Sequence, residues 1–435
     1  MHILLLKPYW PYPYSRGEDT YNRIWPPLSM LNCAGILEEN GFQVKILDAH
    51  AQRIIPKKVY KHIQGFDKIF ITSSSLDRWQ CPNIDISLFL DTVKEVRKNT
   101  SEVYILGYHG TLSPERILDD TKAKAVIRAE PEDKVLKICQ DQRLGDIPGL
   151  TFRQGQEIIS TKNSSPLDLN SLSIPAYHLI NLNRYFYEIL GERFALFEGS
   201  RGCNFNCKFC DKLMYPGPLR KKDSKKLIVE IKYLIEKYKI RSGYFIDLDF
   251  LSNIDTAVAV CEFLAEKKYK FQWSCQTRAD SLNPGTLALM KKAGCRIIHL
   301  GIESGSQRLL DSSNKSISLE SLHQGVNLIR EAGIKVLGFF ILGLPGESEA
   351  EREETIKFAK ELKTDFVSFH AFSDYVRDCK GGIKGYHSLK LRQDIKDAYR
   401  SYYLRPSYIV SLLGKVSVKM SFNIFRLYLG RSRTF

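Results

Sequence analysis

Long apolar runs are absent from this 435-residue sequence: no stretch approaches 18 uninterrupted apolar residues, which argues against a membrane-spanning helix. The amino terminus offers only the four-residue run Ile3–Leu6, without a small-residue cleavage site after it. That run reads as a first strand and not as a signal peptide, so a cytoplasmic protein is expected. Low-complexity tracts and internal repeats are lacking too, and with 43% hydrophobic and 26% charged residues the chain has an ordinary globular composition. Its length suffices for two or three domains. Nor is there a disulfide framework. Seven of the ten cysteines are scattered (33, 81, 139, 261, 275, 295 and 379), whereas three fall within eight residues. In a large intracellular chain such crowding points to metal binding or catalysis.

What is present in excess is positive charge, and it is unevenly spread. The net charge is +15, yet residues 376–435 alone hold 13 Lys or Arg against 3 Asp. The body of the chain is close to balanced; the tail is basic.

Residues 1–145 alternate strand and helix signals. Strands are expected at His2–Leu6, Phe42–Leu47, Lys68–Thr72, Val103–Leu106 and Ala125–Arg128. A helix opened by Pro26-Pro27-Leu28 should stop at Asn40-Gly41. Short buried strands alternating with helices predict an α/β fold with a doubly wound parallel sheet, whose ligands sit outside the carboxyl ends of the strands. Pro8–Trp10, Ser73–Asp77, Gly107–Thr111 and Ala129–Glu132 are thereby expected around one crevice. Residues 146–190 read as a linker containing a small hairpin. From Phe194 the alternation resumes, with six strands near 194–199, 243–248, 271–276, 296–302, 335–342 and 366–369. Six units predict a partial (β/α)6 barrel over 191–375, followed by a basic helical tail over 376–435.

The first strand of that barrel runs straight into Ser200-Arg-Gly-Cys203-Asn-Phe-Asn-Cys207-Lys-Phe-Cys210. Three thiolates leave the four-ligand shell of a cubane cluster one short, so one iron stays open. A three-cysteine zinc site is the plainer alternative, but no histidine lies close by to complete it.

The Cys-x3-Cys-x-Phe-Cys spacing at a first barrel strand resembles the radical S-adenosylmethionine (SAM) superfamily. The resemblance implies a [4Fe–4S] cluster on Cys203, Cys207 and Cys210, with SAM bound to the open iron through its amino and carboxylate groups. Reductive cleavage would then give methionine and a 5′-deoxyadenosyl radical. It further implies SAM contacts at Phe209, Asp247, Arg278, Glu303, Ser304 and Gly343, although a structural ion pair is the bland reading of Glu303 and Arg278.

The amino-terminal motifs Gly107-Tyr-His-Gly-Thr111 and Arg128-Ala-Glu-Pro-Glu132, with Ile147–Arg153 and Ile174–His178, resemble the cobalamin-binding branch of that superfamily, and the likeness runs over about residues 1–375. It implies a cobalamin cradled by Ser73, Ser74, Ser75, Gly107, His109, Gly110, Thr111 and Glu130. Asp48-Ala-His50 departs from the Asp-x-His-x-x-Gly motif that supplies a lower-face histidine, since position 53 is Arg. No histidine ligand is therefore expected. The implied activity is methylation of an unactivated carbon or a phosphorus centre of a small-molecule substrate, with an external electron donor such as flavodoxin or ferredoxin.

Cyclisation or rearrangement without methyl transfer is the alternative inside the branch. A transfer-RNA methylthiotransferase would need a second cluster on Cys33, Cys81 and Cys139, which are poorly placed for it, so nucleic acid is not an expected partner. A non-enzymatic cofactor carrier would leave the SAM-site motifs without purpose. Cys379 is a candidate hydrogen donor or acid/base group. In the tail, Ile409, Leu412, Leu413, Val416 and Met420 mark an apolar helical stripe among basic residues, which either packs on the barrel or rests peripherally on the inner face of a membrane.

Overall fold

The computed structural model describes residues 1–11, 23–75, 82–374 and 389–413. Ile3–Leu6 are fully buried, as a strand covered on both faces requires, and lie within β1 (His2–Lys7). The first sheet continues with β2 (Gln43–Asp48), β3 (Lys68–Thr72), β4 (Val103–Leu106) and β5 (Ala125–Ile127), in the parallel order β2-β1-β3-β4-β5. Winding reverses between β1 and β3, and that reversal opens a crevice at their carboxyl ends. The expected hairpin exists as β6 (Leu150–Gln154) and β7 (Glu157–Ser160), and β6 pairs antiparallel with β5, so it extends this sheet. The helix expected after the double proline is α1 (Leu28–Glu39), ending at Asn40 with Gly41 in the left-handed region (φ +80°).

Six further strands form a second, all-parallel sheet: β8 (Phe194–Phe197), β9 (Ser242–Phe245), β10 (Gln272–Thr277), β11 (Cys295–Glu303), β12 (Lys335–Leu342) and β13 (Phe366–Ala371). They pair in chain order, with β8 and β13 as edges. The register separates two faces. Phe245, Cys275, Ile298, Val336, Phe340 and Val367 share one face, and Tyr244, Gln276, His299, Phe339 and Ser368 share the opposite, inner face. Trp25, just ahead of α1, packs within 5.0–5.5 Å of the Phe194, Tyr244 and Tyr187 rings, so the two sheets share a core.

Helix α2 (Leu389–Tyr403) docks on β13: the Tyr399 and Tyr403 hydroxyls each accept from a strand N–H, at Phe369 and Val367, over 3.0 Å. Pro406 opens α3 (Pro406–Leu413), where Tyr408 is buried but Ile409 is 45% exposed, so the stripe does not pack at Ile409. Cys379 and the rest of the basic tail lie outside the described residues. Among those described, no helix is long and apolar enough to cross a membrane.

Candidate functional site

The cysteine loop leaves β8 and is pinched shut by an antiparallel pairing of Ser200–Arg201 with Arg220–Lys221. Cys203 and Cys207 are half-buried and Cys210 is exposed at its tip. Gly202 has φ +82°, and a Cβ there would lie 2.7 Å from the Pro218 carbonyl oxygen, so only glycine lets the loop turn here. Lys212 donates to the Cys203 and Phe205 carbonyls at 3.2 and 2.7 Å and ties the loop together.

No three His, Cys, Asp or Glu side chains among the described residues converge on a single ion. Chelation of one zinc ion needs such convergence. A cubane cluster instead takes its thiolates at three separate corners, and an all-thiolate donor set suits it. Burial raises the Cys207 thiol, while the Lys315 ammonium and Arg278 guanidinium oppose that rise.

Those two cations define the neighbouring ligand site. Arg278, just beyond β10, lies 3.8 Å above the Phe205 ring, and Lys315 lies 5.6 Å from the Phe209 ring. Glu303 and Arg278 each form a structural ion pair, though not with each other. Glu303 instead pairs with Lys315 at 2.9 Å, both nearly buried, and Arg278 is held by Asp280 at 2.7 Å. Glu303 itself has φ +69°, at a bulge in β11 that turns its carboxylate to the strand end. Ser304 shares a hydrogen bond with Thr355 (3.0 Å) and Gly343 donates to Glu347 (2.7 Å), so both hold strand-end loops in place.

Asp247 requires a correction. Its carboxylate accepts from the Gly199 N–H and the Ser200 hydroxyl, and is buried against the root of the cysteine loop. Burial raises it to about 7. It anchors the loop and does not face a ligand. Asp249, two residues on, keeps an open oxygen: Thr277 donates to Oδ1 at 2.6 Å, while Oδ2 is buried with no hydrogen-bond partner. Buried polar atoms are seldom left so, and an orphan carboxylate oxygen beside the cysteine loop suits a hydroxyl or ammonium group of a bound cofactor.

The crevice of the first sheet lies at the carboxyl ends of β1, β3 and β4. Trp10 Nε1 beyond β1, Ser74 Oγ beyond β3 and His109 Nε2 beyond β4 are all buried without hydrogen-bond partners. Burial holds His109 neutral, down to about 4. Three orphan polar atoms at neighbouring strand ends fit a large polar cofactor. Gly107 (φ +99°) belongs to the same wall, since a Cβ there would come within 3.1 Å of Thr72 and Ser73 atoms. Ser75 N–H donates to Asn83, and the Ser73 hydroxyl accepts from the His109 N–H.

Three further residues expected at the crevice are engaged within the protein. Gly110 serves packing, because a Cβ would meet Val126 at 2.9 Å. The Thr111 hydroxyl donates to the Gly107 carbonyl, accepts from the Ala129 N–H and approaches Met214 Sδ at 3.3 Å. Glu130 holds the two sheets together: its oxygens accept from Arg201 (2.8 Å), Arg220 (2.9 and 3.0 Å) and the Leu167 N–H (2.9 Å). In Asp48-Ala-His50, Tyr185 donates to Asp48 and His50 Nδ1 meets the Trp10 carbonyl.

The residues that sequence reasoning missed are those between the sheets. Arg201, two residues before Cys203, is 2% exposed and meets Glu198, Glu130 and Glu132 at 2.7–2.9 Å. Tyr108 hydrogen-bonds Asp211, the residue after Cys210, and packs with Met214 and Tyr215. The loop that would carry the cluster therefore rests against the crevice.

Residues 197–359 match the family model of the radical SAM superfamily. An uncharacterized methyltransferase from Pyrococcus horikoshii is 27% identical over 427 residues, covering 88% of this chain and 89% of its own length. The anaerobic magnesium-protoporphyrin IX monomethyl ester cyclase of Cereibacter sphaeroides is 26% identical over 83% of this chain and 61% of the cyclase. In fold, the radical S-adenosylmethionine methyltransferase TsrM from Kitasatospora setae, solved with cobalamin and a [4Fe–4S] cluster, superimposes with a TM-score of 0.67 at 15% identity, over 85% of this chain and 72% of TsrM. Cys33 and Cys139 are buried, Cys33 inside α1, which gives no support to a second cluster. Residues 197–359 thus carry a segment that matches the radical SAM superfamily model, in a chain that shares the two-sheet fold of TsrM.

Proposed function

We propose that this chain is a cobalamin-dependent radical SAM enzyme that methylates an unactivated carbon or a phosphorus centre of a small molecule. Its second sheet is read as a partial (β/α)6 barrel over 191–375, and its first domain as a cobalamin-binding domain over 1–145. The observation that carries the reading is the contact between the two candidate sites. The loop of Cys203, Cys207 and Cys210 runs into Asp211 and Met214, which touch Tyr108 and Thr111 on the crevice wall. When bound, a [4Fe–4S] cluster supplies the electron that cleaves SAM, and cobalamin carries the methyl group.

The chain's own residues prepare that chemistry. Arg278 and Lys315 place positive charge beside Cys207, where thiolates and a SAM carboxylate would be negative. Asp249 presents its orphan oxygen to the SAM side. Trp10, Ser74 and His109 offer neutral polar contacts to the corrinoid, and the packing of Tyr108 with Met214 and Tyr215 shields the passage between the sites from water.

The cyclase relative favours a second reading, ring closure without methyl transfer. Anaerobic reconstitution with iron, sulfide and cobalamin separates the outcomes. Four irons and one cobalamin per chain, with deoxyadenosine and S-adenosylhomocysteine formed in equal amounts per product, are expected for methyl transfer. Deoxyadenosine alone would indicate cyclisation. A protein that retains no cobalamin would end the methyl-transfer proposal.

A further inference from the structure

The inner face of the second sheet carries a layer of rings that neither cofactor site uses. In register, Gln276 lies beside His299, Phe339 beside Ser368, and Ile341 beside His370. The Phe339 ring stands 5.3 Å from His299 and 5.8 Å from His370. The two histidines are held differently. Both nitrogens of His299 are engaged, Nε2 by the Tyr187 hydroxyl at 2.9 Å and Nδ1 by Tyr244 at 3.1 Å. His370 Nε2 is fixed by the Ser368 hydroxyl at 2.8 Å, and Nδ1 makes no hydrogen bond among the described residues. The His370 side chain is exposed and Phe339 and Ser368 are half-buried, so this end of the layer faces open space beside the sheet.

The chemistry of this layer is narrow. Desolvation by the protein around it, with the Arg23 charge adding to it, pushes His370 down to about 4, and His299 falls well below its ordinary range for the same reasons. Both are neutral at physiological pH. Around Phe339 the inner-face positions Gln276, His299, Ile341, Ser368 and His370 are uncharged side chains, and Lys335 stands at the amino-terminal edge of the same face, 5.8 Å from the Phe366 ring. Arg23 lies over the Trp25 and Tyr187 rings at 4.9 and 5.4 Å. Further along, Ile297, Leu337 and Phe366 close the sheet face with Ile189 and Leu190.

A compact anion such as a phosphonate would find its cations at the margins, Arg23 over the Trp25 and Tyr187 rings and Lys335 over the Phe366 ring, and would gain nothing from the neutral histidines beside Phe339. A saturated alkyl chain would bury His370 and Ser368 against groups that cannot hydrogen-bond them. A flat conjugated ring with a polar atom on its edge satisfies both demands, packing on Phe339 while the edge atom meets His370 Nδ1.

Resting on the radical SAM reading above, we infer that this layer is the substrate floor, with Phe339 and His370 selecting a flat, conjugated, uncharged ring that bears a polar edge atom. The test uses the full chain loaded with cluster and SAM, and two probes: indole-3-acetamide as the ring and methylphosphonate as the anion. Equilibrium dialysis should show saturable binding of indole-3-acetamide, weakened about tenfold in both His370→Ala and Phe339→Leu, since each loses one hydrogen bond or one ring contact. His370→Asn, which keeps a polar edge, should recover part of the loss, while matched thermal unfolding of all variants shows that the fold is intact. Equal affinity in the variants, preferential binding of methylphosphonate, or binding of neither probe overturns the inference. Iron content and deoxyadenosine release by the unsubstituted protein test the enzyme reading separately.

Discussion

Among single residues, the sharpest contrast is between two aspartates two positions apart. Asp247 is satisfied by Gly199 and Ser200, yet burial raises it to about 7, above the ordinary value of about 3.9. A carboxyl raised on folding binds more protons in the native chain than in the unfolded one, so its ionisation destabilises the fold as pH climbs between those values. Asp247→Asn should therefore flatten the fall in unfolding temperature between pH 4 and pH 7, checked by calorimetry against the unsubstituted chain. Asp249→Asn should leave that slope alone and weaken SAM binding, measured by equilibrium dialysis; an unchanged affinity would remove Asp249 from the SAM site. Composition could not separate the two acids, since both belong to one Asp-x-Asp and only the partners reached across space differ. The three cysteines were legible because their spacing is a covalent fact. Lys315 was not, because it meets Glu303 only through the bulge in β11.

Elements were easier to read than partners. Strand runs, the double-proline start of α1 and its stop at Asn40-Gly41 all follow from local periodicity and turn chemistry, and the structure keeps them within three residues. Long-range pairing was not local information: nothing in Leu150–Ser160 says that its hairpin extends the first sheet. The cysteine loop depends on one torsion at Gly202. Gly202→Ala must relieve both a positive φ and a 2.7 Å approach to Pro218, so it should fold but bind markedly less iron, as read by iron content and absorption after reconstitution. Full cluster loading in that variant would show that the loop tolerates rearrangement.

For the whole molecule, the decisive feature is the Arg201 hub, where one guanidinium answers three carboxylates from both sheets. Removing one partner of a buried charge cluster leaves the others uncompensated, so Arg201→Ala should cost about 3–5 kcal/mol in urea unfolding of the full chain. An effect under about 1 kcal/mol would mean that water enters between the sheets in place of the side chain. The hub also bears on how the protein comes to exist. Glu130 and Glu132 leave the ribosome some seventy residues before Arg201, and Arg220 follows later still. Until both arginines arrive, the newborn first domain carries acids with no counter-charge, facing a surface not yet made. Its crevice is thus completed only when the cysteine loop has been synthesised and docked, so a cofactor held between the sheets would enter a finished chain and not its halves.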